Sequence, residues 1–82
     1  MKHTKEELKE MLEFVIEDFA ERGVDITTIT FRQEEDGYTW KLAVVKDTAE
    51  ENFTIFVSDY YDDLAEMFGN ELYVALKQNG LL

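Results

Sequence analysis

The sequence contains no cysteine, so it forms no disulfide scaffold and offers no thiolate ligand to a metal ion. No apolar run approaches the roughly 20 residues that span a bilayer, and the N-terminal segment MKHTKEELKE lacks the apolar stretch of a signal peptide. We therefore expect no membrane segment and a reducing, cytoplasmic compartment. The only histidine, His3, lies in a tail predicted to fray, and the only serine is Ser58. Without a paired nucleophile and base, we expect a non-enzymatic protein that uses no cofactor.

The length and composition predict one small acidic domain over residues 1–82. Hydrophobic residues make up 45% of the 82 positions and aromatic residues 13%, which is too many for a disordered segment. Nineteen acids against eight bases give a net charge of −11. Because such a charge repels phosphate, we expect no direct binding to DNA, RNA or anionic lipid.

A first helix is predicted over residues 4–22. Thr4 and Glu7 form a T-x-x-E capping box, and Gly23 suits the left-handed position that follows a helix. The apolar residues recur at helical spacing and define one buried stripe, formed by Leu8, Met11, Leu12, Val15 and Phe19.

Three strands are predicted next, over residues 26–33, 38–46 and 53–57. The dipeptide Asp36-Gly37 marks the first turn, and residues 47–52 form a polar connector. Period-two alternation places on the core face Ile29, Phe31, Tyr38, Trp40, Leu42, Val44, Phe53, Ile55 and Val57. The opposite, mostly solvated face carries Thr28, Thr30, Arg32, Thr39, Lys41, Ala43, Val45, Thr54 and Phe56.

A second helix is predicted from Ser58, interpreted as its N-cap, to about residue 78. The complete prediction is an α+β fold of two layers in the order α-β-β-β-α. Its sheet is a three-stranded antiparallel meander, and both helices cover one face. This order resembles the double-stranded-RNA-binding domain in outline. That family contacts RNA through lysines at the start of its second helix, where this sequence has Asp59, Asp62 and Asp63, so no RNA-binding residue is carried over.

The acidic residues are concentrated in two predicted rows. The first is a ridge along helix one, opposite the buried stripe, formed by Glu6, Glu10, Glu13, Glu17 and Glu21. The second lies at the start of helix two and contains Asp59, Asp62, Asp63 and Glu66. Like charges at this spacing cost a few tenths of a kcal/mol each, so stability alone does not favour them. Rows of carboxylates on a rigid scaffold can imitate a phosphate backbone and occupy a basic groove.

In its small size, acidity and carboxylate rows, the chain resembles the small acidic phage-type inhibitors, which include DNA mimics and anti-CRISPR proteins. The resemblance implies an inhibitor that docks on a basic protein surface, such as that of a nuclease or another nucleic-acid-binding protein. Charge that serves only solubility is the competing interpretation of both rows. The second row also offers oxygen ligands for Mg²⁺ or Ca²⁺, but it lacks the spacing and turn glycine of a calcium loop.

Apolar residues outside the core pattern give an alternative function. Tyr60, Met67, Val74 and Leu81 repeat every seven residues beside the stripe of helix two. Val45 and Phe56 lie on the solvated sheet face. These positions predict a homodimer or partner contact, and with it a small oligomerisation domain whose charge serves only solubility.

Overall fold

The chain folds in the order α-β-β-β-α, as the sequence predicts. A computed structural model describes residues 3–82, which form α1 (Lys5–Glu21), β1 (Asp25–Gln33), β2 (Gly37–Lys46), β3 (Ala49–Ser58) and α2 (Leu64–Gln78). The strands make one antiparallel sheet in the order β1-β2-β3. Helix α1 packs on β1, α2 packs on β3, and the two helices contact each other.

Both ends of α1 confirm the signals in its sequence. The Thr4 side chain accepts a hydrogen bond from the Glu7 backbone N–H at 3.1 Å. Gly23 adopts a φ of +80°, and the Val24 N–H returns to the Phe19 carbonyl at 3.0 Å. This pair of features is the Schellman ending, in which a glycine takes the left-handed position that a side chain disfavours. The helix is therefore fixed at both ends by local sequence.

Trp40 lies at the centre of the hydrophobic core, as predicted. It is fully buried between the sheet and the helices, and its ring meets that of Phe68 edge to face at 4.8 Å. The same cluster joins the two helices to the sheet through the buried side chains of Leu8, Met11, Val15, Phe19, Val24, Tyr38, Leu42, Val44, Ile55, Val57, Leu64, Leu72, Leu76 and Leu81.

The predicted polar connector over residues 47–52 is wrong. Lys46 pairs with Ala49, so β2 and β3 are joined by a two-residue turn at Asp47-Thr48 in which Asp47 has a φ of +55°. Residues 49–52 belong to β3. Three of these four residues are polar because this end of the sheet is exposed, and exposure removes the alternation that marks a half-buried strand.

Strand β1 contains a bulge that the alternation pattern did not predict. Its register shifts between Ile26, which pairs with Val44, and Thr28, which pairs with Ala43. Thr27 is the extra residue, so Ile26 and Ile29 reach the same face although they are three positions apart. Phe31 was placed in the core but is 43% exposed, because β1 is an edge strand.

Helix α2 begins at Leu64, and its predicted start at Ser58 is wrong. Ser58 ends β3, pairs with Gly37, and accepts a hydrogen bond from the Tyr60 N–H at 3.2 Å. The N-cap is Asp63, whose carboxylate accepts from the Glu66 N–H at 3.0 Å. Serine and aspartate are both common N-cap residues. Asp63 is the cap here because Ser58 pairs in the sheet.

Candidate partner-binding surface

The predicted acidic ridge exists as one exposed face of α1. All of its members are exposed, and the buried residues of the helix lie on the opposite side. No member forms an ion pair with a base within residues 3–82. At 1.5 Å per residue, the ridge from Glu6 to Glu21 is about 22 Å long and carries five carboxylates. Within the described residues, no base therefore neutralises these charges.

An exposed aromatic side chain lies beside this ridge. Phe14 is 67% exposed and is the one large apolar side chain on α1 that is exposed. Glu10 stands four residues before it and Glu17 three residues after it, so both are its neighbours on the helix surface. The sequence analysis missed this residue because it belongs to neither the buried stripe nor the ridge. The sequence did contain a signal for it, namely a phenylalanine at a helical position outside the buried stripe.

The second predicted row does not lie on one helix face. Asp59 is half-buried in the loop after β3, where its N–H donates to the Asp36 carbonyl at 3.0 Å. Asp62 and Asp63 are exposed but precede the helix, and Glu66 alone lies within it. The row is thus a loop followed by a helix start, and Asp63 has a structural role as the cap.

Two clefts between α1 and the start of α2 bring acids from both regions together. The larger cleft has a volume of about 570 Å³ and the smaller about 300 Å³, and Asp63 lines both. We call the acids of these clefts the acidic seam, which consists of Glu7, Glu10, Asp18, Asp62, Asp63 and Glu66. The seam joins one member of the ridge, Glu10, to three members of the second row.

The arginine that lines the larger cleft already contacts neighbouring groups within the protein. In the larger cleft, the Arg22 guanidinium lies 3.4 Å from the Asp18 carboxylate and 5.4 Å from the centre of the Phe19 ring. It also lies 5.8 Å from the Tyr73 ring, which forms another part of the cleft. Arg22 therefore orders the aromatic wall of the cleft while neutralising only one of its acids.

In the smaller cleft, His3 is buried and the prediction of a frayed position is wrong. It is 7% exposed, and its ring lies 3.2 Å from a carboxylate oxygen of Glu7. The hydrogen bond from His3 and that from the Thr4 backbone lower the pKa of Glu7 below its ordinary value of 4.5. Glu7 therefore stays ionised to a lower pH than an ordinary glutamate does.

The predicted apolar contact residues are scattered rather than joined in one patch. Tyr60 is 81% exposed in the loop before α2, Val74 is exposed on the helix, and Met67 packs partly against the core. Leu81, the fourth residue of the seven-residue repeat, is buried in the core.

The two apolar residues on the outer sheet face are also far apart. Phe56 pairs with Thr39 in β2, and Thr39 lies six residues from Val45. Six strand residues span about 20 Å, so Phe56 and Val45 do not form one contact surface. The apolar contact residues therefore offer single side chains rather than a continuous interface.

Within residues 3–82, no group of three or more histidines and acids is arranged to hold a metal ion. No helix in that part of the chain is long and apolar enough to cross a membrane. Comparisons with protein-family models, with curated proteins and with solved structures find no match to this chain.

Proposed function

We propose that the protein is a non-enzymatic acidic binding module that docks the exposed face of α1 and the acidic seam on a basic protein surface. The partner is a nuclease or another nucleic-acid-binding protein, and docking inhibits it by occupying the channel that nucleic acid would enter. The observation that carries this proposal is the exposed ridge, whose five glutamates form no ion pair with any base of residues 3–82.

The energetics of such a docking favour both attraction and specificity. Carboxylates in a row attract a basic groove over long distance and raise the rate of association. Phe14 adds specificity, because an exposed aromatic residue within a charged surface can fill a pocket in the partner. A surface selected only for solubility has no need of an exposed phenylalanine between two glutamates.

The alternative function is a small oligomerisation domain in which charge serves only solubility. It would use Tyr60, Met67, Val74, Val45 and Phe56. Their dispersal over the loop, α2 and two distant parts of the sheet gives this alternative less support than the acidic face.

The test compares two triple variants that change the net charge equally. Glu10→Lys, Glu13→Lys and Glu17→Lys alter the ridge, whereas Glu35→Lys, Glu50→Lys and Glu51→Lys alter exposed acids of β3 and of the turn between β1 and β2, and this second triple is called the sheet variant. Each triple moves the net charge from −11 to −5, since each reversal adds two. We expect a basic partner isolated from host lysate at low salt to bind wild type and the sheet variant equally well. The same partner should no longer bind the ridge variant.

Competition and salt complete the test. Duplex DNA or RNA should displace the protein from that partner, and binding should weaken steeply as salt rises. Equal loss of binding in the two triple variants would show that only total charge matters. Binding that survives in the ridge variant and resists both salt and nucleic acid would contradict the proposal and favour an apolar contact.

A further inference from the structure

A second, chemically different groove lies on the other flank of α1. It has a volume of about 270 Å³ between the first half of α1 and strands β1 and β2. Leu8, Leu12, Phe31 and Trp40 line it, and its exposed surface is almost entirely carbon. None of these residues belongs to the acidic seam, so the groove is separate from the proposed docking surface.

Two lysines complete the wall of this groove. Lys5 and Lys9 are exposed, lie one helical turn apart, and form no ion pair in the described part of the chain. Lysine stems pack against apolar surface while their ammonium groups stay in water, so the two charges lie at the rim. In a protein with 19 acids, this is an apolar groove bordered by two bases and no acid.

The position of Lys5 is unfavourable for helix stability alone. Lys5 occupies the first position of α1, where the helix dipole favours acids and opposes bases. Like charges four residues apart add a further repulsion. An anion bound between the two ammonium groups relieves both effects.

Trp40, one of the residues that line the groove, also carries a buried hydrogen-bond donor without a partner. Within residues 3–82, Trp40 Nε1 is the one buried side-chain polar atom without a hydrogen-bond partner. Trp40 is the single tryptophan of the chain, so its indole signal reports directly on this site.

We infer that this groove binds a small organic carboxylate with an apolar body, such as a medium-chain fatty acid. The hydrocarbon packs against Leu8, Leu12 and Phe31, and the carboxylate pairs with the ammonium groups of Lys5 and Lys9. A single negative charge fits better than a polyphosphate, because the rest of the protein repels multiply charged anions.

The experiment titrates the full chain with decanoate and follows two signals of Trp40, its fluorescence and its single indole N–H resonance in NMR. Both should change saturably. Decanol, which shares the hydrocarbon but lacks the charge, should bind at least about tenfold more weakly, because it cannot pair with the lysines.

Two double variants that change the net charge by the same amount test where decanoate binds. Lys5→Glu with Lys9→Glu should weaken decanoate binding more than about tenfold, whereas Lys41→Glu with Lys46→Glu on β2 should leave it within about twofold. Circular dichroism confirms that each variant is folded, and Lys5→Gln with Lys9→Gln replaces the first pair if it is not. A titration without saturation, equal binding of decanol, or equal weakening by both lysine pairs would each overturn the inference.

Discussion

His3 and Tyr61 are linked across the helical layer by a hydrogen bond. The His3 Nε2 atom lies 3.2 Å from the Tyr61 carbonyl oxygen, and the Nδ1 atom lies at the same distance from a Glu7 carboxylate oxygen. The imidazole also meets the Tyr38 ring edge to face at 6.0 Å. One side chain thus joins the start of α1 to β2 and to the loop before α2.

Replacement of His3 by alanine should therefore destabilise the whole domain rather than only its terminus. We expect a loss of about 1–3 kcal/mol in the free energy of unfolding, because two hydrogen bonds and a buried ring contact disappear. Urea denaturation measures this loss. His3→Gln, which keeps one donor, should recover part of it, and an unchanged urea midpoint in His3→Ala would contradict the structural role.

The lowered pKa of Glu7 predicts a pH dependence of stability. A carboxylate whose pKa is lower in the folded state stabilises the fold above its ordinary pKa and loses that effect as the pH falls through the folded value. Wild type should exceed Glu7→Gln in stability near neutral pH, and the difference should shrink as the pH falls below the ordinary glutamate pKa of 4.5 and through the lowered pKa of Glu7. Thermal unfolding at several pH values measures the difference, and a constant gap would contradict the prediction.

The parts of the fold that the sequence predicted are those set by local chemistry. The Thr4 side chain caps the start of α1, and Gly23 ends the helix because it has no side chain to oppose a positive φ. Trp40 is buried in the core, as the alternation of apolar residues along its strand predicts. The errors arise where tertiary pairing overrides a local signal. Ser58 is a good N-cap in isolation, but the sheet uses it as a strand residue opposite Gly37.

The candidate site was predicted only in part, for a related reason. The ridge on α1 depends on spacing within one helix, so the sequence alone located it. The acidic seam depends on how α1 lies beside the start of α2, which no local pattern encodes. His3 was misplaced because its partner, Tyr61, lies 58 residues away along the chain.

Trp40 offers a test of the core and of its unsatisfied donor. Trp40→Ala should cost about 3–5 kcal/mol, since it leaves a large cavity between sheet and helices. Trp40→Phe should cost clearly less, because phenylalanine fills part of the volume and removes the N–H that lacks a partner. Wild-type emission should be blue-shifted and move to the red on denaturation. Equal urea midpoints for the two variants would contradict this account.

Asp63 should behave as a helix cap rather than as one more surface charge. Asp63→Ala should lower stability by about 1 kcal/mol, because the Glu66 N–H loses its acceptor. Asp63→Asn is the matched control, since asparagine caps as well as aspartate while removing the charge. Thermal unfolding of both variants separates cap from charge. Equal losses in the two would assign the effect to charge instead, and no loss in either would remove the role of Asp63 altogether.

Gly69 is the position where a substitution should stabilise the protein. It lies inside α2 and borders the larger cleft, and a Cβ added there meets no atom within 4 Å. Glycine inside a helix costs roughly 0.8–1.0 kcal/mol relative to alanine, so Gly69→Ala should raise stability by about that amount. Gly37→Ala is the contrasting variant, because its Cβ would collide with the Val57 carbonyl oxygen and the Phe56 ring.

Measured by thermal unfolding, the two alanine variants should shift the midpoint in opposite directions. The added methyl group of Gly69→Ala also projects into space beside the acidic seam. If that cleft receives part of a basic partner, the same variant should be more stable yet bind that partner less well. If Gly69→Ala is less stable than wild type, the helix needs this glycine for a reason other than the packing around it.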